Sequence, residues 1–513
     1  MANAPLPGGS LSEYDPHVSE VSELRNLSAL LASHRFREAE ELVASLTDTT
    51  AAVRGWLVVA RTHAVCQRWD DARRAIEAAL HLQPASRLLK IERAAIITQQ
   101  GFAQAALSEL EQLVREGEDS PQLVLHLAQA LIVLGRSSEA ETQLELGLQR
   151  WPLDEALHRS VIRLRWLSGC GESSTARLER TIVAYPRELQ LRLLAADALR
   201  NAGFLERALE TLQGGLQLAP QSVGFLTSIG VVLDGLDRPG DALPYLRAAA
   251  ERGRRGGPAK RNLIPTLLRL SEPIEALAIC DELLADSPDD QLLIAYRATA
   301  LRMLGDARYE SLHDYDRLVR IYRPDPPSAF TRVSDFNEAF AAAVLAFHTT
   351  DRRPLDQSLR GGTQTDRNLP LEQPAVAAFM KMIDAPIRDY ISRLRDGSDH
   401  PTDRRRAAGY RIAGSWSVRL SPQGFHTNHV HPKGWLSSAY YIDLPEGMGT
   451  DESRAGWLKF GEPGQPTPGC SPNHFVRPEP GMLVLFPSYM WHGTVPFTEG
   501  GHRLTAAFDV VPT

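Results

Sequence analysis

Leu131-Ile-Val-Leu-Gly-Arg-Ser-Ser-Glu-Ala140 and Leu199-Arg-Asn-Ala-Gly-Phe-Leu-Glu-Arg-Ala208 carry one pattern: an apolar helix end, a Gly turn, and a second helix opening near Glu and running to Ala. The pattern spreads outward in both directions. Small residues recur at Ala39, Ala72, Ala106, Ala140, Ala176, Ala208, Ala242 and Ala276, in steps of 33, 34, 34, 36, 32, 34 and 34. Prolines follow in phase at 84, 121, 152, 186, 220, 258 and 288. An alanine at each step lets two helices cross closely. Gly135, Gly203 and Gly235 permit the tight turn, and a proline cannot continue the second helix.

This 34-residue helix-turn-helix period resembles the tetratricopeptide repeat over residues 21–305. The resemblance implies an all-α superhelix whose concave groove takes a peptide or protein. A final helix, Gln291 to Leu304, is expected to cap the stack or to begin an incomplete unit. Residues 1–20 are rich in Pro, Gly and Ser and are expected to be poorly ordered.

At 513 residues the chain is too long for one core. A net charge of −7 and a pI near 6.1 argue against a general nucleic-acid binder. No apolar run is long enough to span a membrane, and the four scattered cysteines read as reduced thiols. The expectation is a cytoplasmic protein with no nucleic-acid or membrane partner.

After Asp306 the ladder stops, and Tyr322-Arg-Pro-Asp-Pro-Pro-Ser328 marks a stiff link, so 306–330 is read as a linker. Helical patterns follow over Ser334–His348 and Gln373–Arg395. From Ala408 on, short alternating segments are split by Gly and Pro: Gly414–Arg419, Leu436–Leu444, Gly456–Phe460, Met482–Phe486 and Leu504–Val511. Residues 331–513 are therefore expected to form a double-stranded β-helix, or jelly roll, with supporting helices.

The chemistry-bearing residues lie in this part. In Phe425-His-Thr-Asn-His-Val-His-Pro432, His429 and His431 are two apart on an extended segment and share a face. His492 closes Gly481-Met-Leu-Val-Leu-Phe-Pro-Ser-Tyr-Met-Trp-His492, and Arg503 stands eleven residues later. Two near imidazoles and one distant one can form a three-ligand site with open positions.

The runs His429–Pro445 and Leu485–His492 with Arg503, preceded by Leu355–Thr365, resemble bacterial Fe(II)/2-oxoglutarate oxygenases of a hydroxylase type often fused to these repeats. The resemblance implies that His429, His431 and His492 hold Fe(II). It also implies that Arg503 pairs with the far carboxylate of 2-oxoglutarate, with Thr505 adding a hydroxyl on the same face. Arg suits that task because its planar fork grips a carboxylate bidentately. Tyr440 and Tyr441 point to opposite faces of their strand, and Tyr440 is expected to touch the co-substrate. Gln357, Arg360, Gln364 and His426 are expected to contact substrate.

The wider superfamily has Asp or Glu where this chain has His431. A water or His426 could take that third place instead. The implied reaction consumes O2 and hydroxylates a C–H bond of a peptide or protein held by the repeat groove. Two alternatives stay open: a three-histidine dioxygenase using no 2-oxoglutarate, and a non-catalytic repeat scaffold with a degenerate barrel.

Overall fold

In the computed structural model of the protein, the residues described are 26–28, 30–31, 35–66, 68–253, 257–348, 358–365, 368–371, 373–446, 448, 452–498 and 500–513. Two compact units divide at Ser160/Val161, inside the helix Glu155–Leu167. The division therefore falls within the repeats and not at their end. Each repeat packs mainly on its neighbours, while the last of them packs on the sheets that follow.

The first unit contains the helix pairs Thr49–Val65 with Trp69–Leu82, Arg87–Gln99 with Ala103–Arg115, and Pro121–Val133 with Ser137–Arg150. The second continues with Leu189–Ala202 and Leu205–Leu218, Val223–Gly235 and Pro239–Arg252, Pro258–Arg269 and Pro273–Asp286, and the closing helix Gln291–Met303. Ala39, Ala72, Ala106, Ala140, Ala208, Ala242 and Ala276 are all fully buried. The fifth place on the ladder differs from expectation. Ala176 is only partly buried, and the buried small residue there is Ser174, 34 residues after Ala140, in a 3-10 turn over Gly171–Thr175.

The turns keep the same period. Positive φ recurs at Gly101, Gly135, Gly169, Gly203, Asp237, Ser271 and Gly305, each 34 residues after the one before. Gly235, expected to make its turn, ends a helix instead, and Asp237 takes the left-handed conformation. Pro121 and Pro258 open the next first helix rather than following the second, a position where the missing N–H costs nothing.

Close crossing also rests on glycine. A Cβ on Gly215 would lie 2.2 Å from Cε1 of Phe225, which is fully buried. Gly215→Ala gains up to about 1 kcal/mol of helix propensity but overpacks a rigid core, a cost of roughly 1–3 kcal/mol. The expected result is a net loss, seen as a lower thermal midpoint than wild type. A rise would show that Phe225 can move aside.

The C-terminal strands are β1 (Arg320–Tyr322), β2 (Leu359–Gln364), β3 (Tyr410–His426), β4 (Leu436–Asp443), β5 (Leu458–Phe460), β6 (His474–Val476), β7 (Leu483–Pro487), β8 (His492–Thr494) and β9 (Arg503–Pro512). They form two antiparallel sheets, one ordered β1-β7-β4-β9-β3-β2 and one ordered β6-β5-β8. This is a jelly roll. The residues expected to be a linker, 306–330, instead supply the short helices Arg308–Leu312 and Tyr315–Leu318 and the strand β1, which extends the large sheet beside β7.

Alternation along the strands sorts the two faces of the large sheet. Leu436, Tyr440, Ile442, Leu483, Leu485, Ala506 and Phe508 face outward into a core with Phe336, Phe340, Phe379 and Ile387 from the helices Val333–Leu345, Pro374–Met382 and Asp384–Ser392. The expected single helix over 373–395 is thus two, meeting at Ile383. Tyr441, Val484 and Phe486 face inward and meet Leu458, Phe460, Val476 and Met490. Each large apolar side chain buried this way contributes about 1.5–3 kcal/mol.

The closing repeat helix packs on the jelly roll. Its Ala295 meets Val430 and Trp491. Trp491 Nε1 donates to Thr299 Oγ1 at 3.1 Å. Arg302 donates to the carbonyls of Gly461 at 2.8 Å and Ser471 at 2.9 Å. No helix among the described residues is long and apolar enough to cross a membrane.

Candidate metal and carboxylate site

His429 and His492 arrive on neighbouring segments. The amide of His429 donates to the carbonyl of His492 at 2.9 Å, and the reverse bond is 3.1 Å. Gly493 makes this approach possible, since a Cβ there would lie 2.4 Å from Asn428 Oδ1 and 2.9 Å from the carbonyl oxygen of His426. His431, two residues along, joins them, and ring nitrogens of the three come within 4.8 Å of one another.

The hydrogen bonds fix which nitrogens are free. His429 Nδ1 is 2.8 Å from the carbonyl of Thr427, and His492 Nδ1 is 2.9 Å from the carbonyl of Met490. His431 Nδ1 is 2.6 and 2.7 Å from the two carboxylate oxygens of Asp509. Each of these partners can only accept, so each Nδ1 carries its proton. Burial, with His431 beside it, pushes His429 down to about 4. Burial, with His429 and His431 adding to it, holds His492 well below the ordinary range.

In the neutral ring that leaves a lone pair on each Nε2. Those of His429 and His431 lie 3.2 Å apart, a spacing that suits a proton or a metal ion held between them. Two adjacent nitrogens on an ion with bonds of about 2.1 Å stand about 3 Å apart, so the donor set fits a first-row divalent metal.

Arg503 lies at the start of β9 and is 2% exposed. Among the described residues no carboxylate pairs with it, and its Nε has no hydrogen-bond partner. The Tyr441 ring lies 5.0 Å from its guanidinium. Burial lowers the Arg503 pKa, and Tyr441 partly offsets that. The Tyr441 hydroxyl, raised by burial, has no partner in hydrogen-bond geometry and is left facing the Arg503 charge.

Thr505 stands opposite Tyr441 across the strands and shares the inward face with Arg503 and Asp509. Tyr440, expected at the co-substrate, is on the other face. Its hydroxyl meets Asn337 Oδ1 at 2.7 Å and its ring packs on Phe379. Tyr441 is the inward residue of the pair.

His426 lies beside the cluster, its ring 5.7 Å from that of His429 and its Nδ1 3.1 Å from Ser358 Oγ, but it is outside the convergent three. Burial, with His429 and Arg503 close by, holds it well below the ordinary range. Gln364 stands opposite Val418 and so shares its inward face. Arg360 is exposed on the face opposite Leu359. Gln357 lies outside the described residues.

The sequence reading missed two residues. Trp416 stacks on His431 with ring centroids 5.6 Å apart. Asp509 was legible only as an acid on a strand that otherwise buries apolar residues.

The chain shows similarity to several solved proteins. One is a thermophilic tetratricopeptide-repeat protein of Thermus thermophilus, 25% identical over 36% of this chain and 100% of that one, with a TM-score of 0.28. A second is a tetratricopeptide repeat protein from Parabacteroides merdae, 15% identical over 49% and 99%, TM-score 0.29. A third is a prolyl-4-hydroxylase from Pseudomonas putida, 16% identical over 39% and 97%, TM-score 0.26. Among curated proteins nothing matches. Residues 98–161 match the tetratricopeptide-repeat family, and residues 414–509 match the family described as "Putative 2OG-Fe(II) oxygenase". Within one chain, a stretch that matches the tetratricopeptide-repeat family is thus followed by one that matches the putative oxygenase family.

Proposed function

We propose that the C-terminal domain is an Fe(II)/2-oxoglutarate-dependent dioxygenase that hydroxylates a C–H bond of a peptide or protein recruited by the repeats. His429, His431 and His492 would hold the metal, and Arg503, with Thr505 and Tyr441, would bind the co-substrate. The observation that carries this reading is Arg503. An unpaired buried cation costs several kcal/mol, and a ligand carboxylate is the partner its fork is shaped to take.

The metal would supply the centre at which 2-oxoglutarate and O2 react to give CO2, succinate and an oxidant for the C–H bond. The protein's own residues do the rest. The three Nδ1–H bonds hold the imidazoles in one tautomer with Nε2 free. Arg503 fixes the far end of the keto acid. Val484, Phe486 and Phe460 wall the inner space and keep water from it. Trp416 and Gln364, on the inward face of their strands, would meet the substrate.

Anaerobic addition of Fe(II) and then 2-oxoglutarate is expected to produce a weak visible charge-transfer band. Tight Fe(II) binding without the band would favour a three-histidine dioxygenase that needs no keto acid. Absence of both would favour the scaffold.

A further inference from the structure

Three imidazoles and no carboxylate converge at the cluster, yet a carboxylate is present one bond further out. Both oxygens of Asp509 lie within 2.7 Å of His431 Nδ1. Asp509 is itself held: Ser437 Oγ donates to its Oδ1 at 2.8 Å and lies 2.9 Å from Ser488 Oγ. The pair is largely shielded, with side-chain exposures of 14% and 17%. Asp509 reaches this place because it stands on the inward face of β9, in register with Ser437 of β4.

We infer that Asp509 is a positioning residue for the metal centre, holding His431 and placing a carboxylate charge next to the cluster through that imidazole rather than by direct contact. The inference rests on the proposed metal site. A carboxylate accepting the Nδ1 proton fixes the tautomer and raises the basicity of Nε2. It also supplies the negative charge that three neutral imidazoles lack. With Asp509 counted, the inward charges balance both ways: Asp509 against Arg503 in the ligand-free protein, and a metal dication against a 2-oxoglutarate dianion added to them.

The test is calorimetric titration with Co(II) alone, in full-length wild type, Asp509→Asn, Asp509→Glu, His431→Asp and the double variant His431→Asp/Asp509→Asn. Asn keeps an acceptor but removes the charge, so Asp509→Asn is expected to weaken Co(II) by about 10–100-fold. Asp509→Glu should retain most of the affinity. His431→Asp would set two carboxylates against each other, and neutralising Asp509 in that background should recover affinity at least tenfold. Opposite signs of one substitution in two backgrounds are not expected of a merely structural residue, and the rescue arm stands even if Asp509→Asn folds poorly by itself. Wild-type affinity in Asp509→Asn, or no rescue in the double variant, would overturn the inference while leaving the metal site intact. No Co(II) binding by wild type would overturn both.

Discussion

Replacing Arg503 by alanine is expected to reduce 2-oxoglutarate affinity by two to three orders of magnitude while leaving metal affinity within a few-fold. Two charge-assisted hydrogen bonds at roughly 1.5–3 kcal/mol each put the loss at about 3–6 kcal/mol, and the lower half of that range is two to three orders of magnitude. The cation is not needed for folding in the same way. Its desolvation costs several kcal/mol, and the Tyr441 ring returns at most about 2 kcal/mol, so ligand-free Arg503→Ala should melt no lower than wild type. The signature is therefore the loss of ligand-induced stabilisation, about 2.7 kcal/mol for wild type at one hundred times Kd. Arg503→Lys should recover only part of it, since an ammonium cannot grip both carboxylate oxygens. A variant that melts far below wild type and still binds the keto acid would assign Arg503 to the core.

The second large effect concerns the joint between repeats and jelly roll. A chain starting at residue 306 is expected to be insoluble or to lack a cooperative transition, and to bind no metal. The cut removes Gln291–Met303, which covers Val430, between two of the clustered histidines, and Trp491, immediately before the third. It also removes Ile294 from the cluster that holds Phe460 and Phe486. Losing the cover of one large aromatic alone compares with Trp→Ala changes of about 3–5 kcal/mol, against a whole-domain stability of roughly 5–15 kcal/mol. A chain covering 186–513 keeps these contacts and should fold and bind metal. If the 306–513 piece also folds and binds metal, the helix is only a neighbour.

Much of this was legible in the residues, for identifiable reasons. The ladder of buried alanines could be read because a close helix crossing tolerates only small side chains, and the exception at Ser174 arose where a 3-10 turn shifted the register. The alternating strands could be read from their period of two. Parity was not, because Tyr440 and Tyr441 are equally apolar in outline and the outward face is as buried as the inward one. Periodicity alone cannot choose between two buried faces. Asp509 was missed because its partner is 78 residues away, a distance that only strand register closes. The stretch 306–330 read as a link because three-residue β1 carries too little pattern to show.

The brace from the closing helix also sets how such a chain can vary by descent. Whole blocks of 34 residues can be duplicated or lost among the earlier pairs without changing what His429, His431 and His492 lean on. The block ending at Met303 is expected to be inherited with the jelly roll as one piece. Repeat number should therefore drift at the N-terminal side, and a transplant of the jelly roll to a new array should carry its last repeat with it.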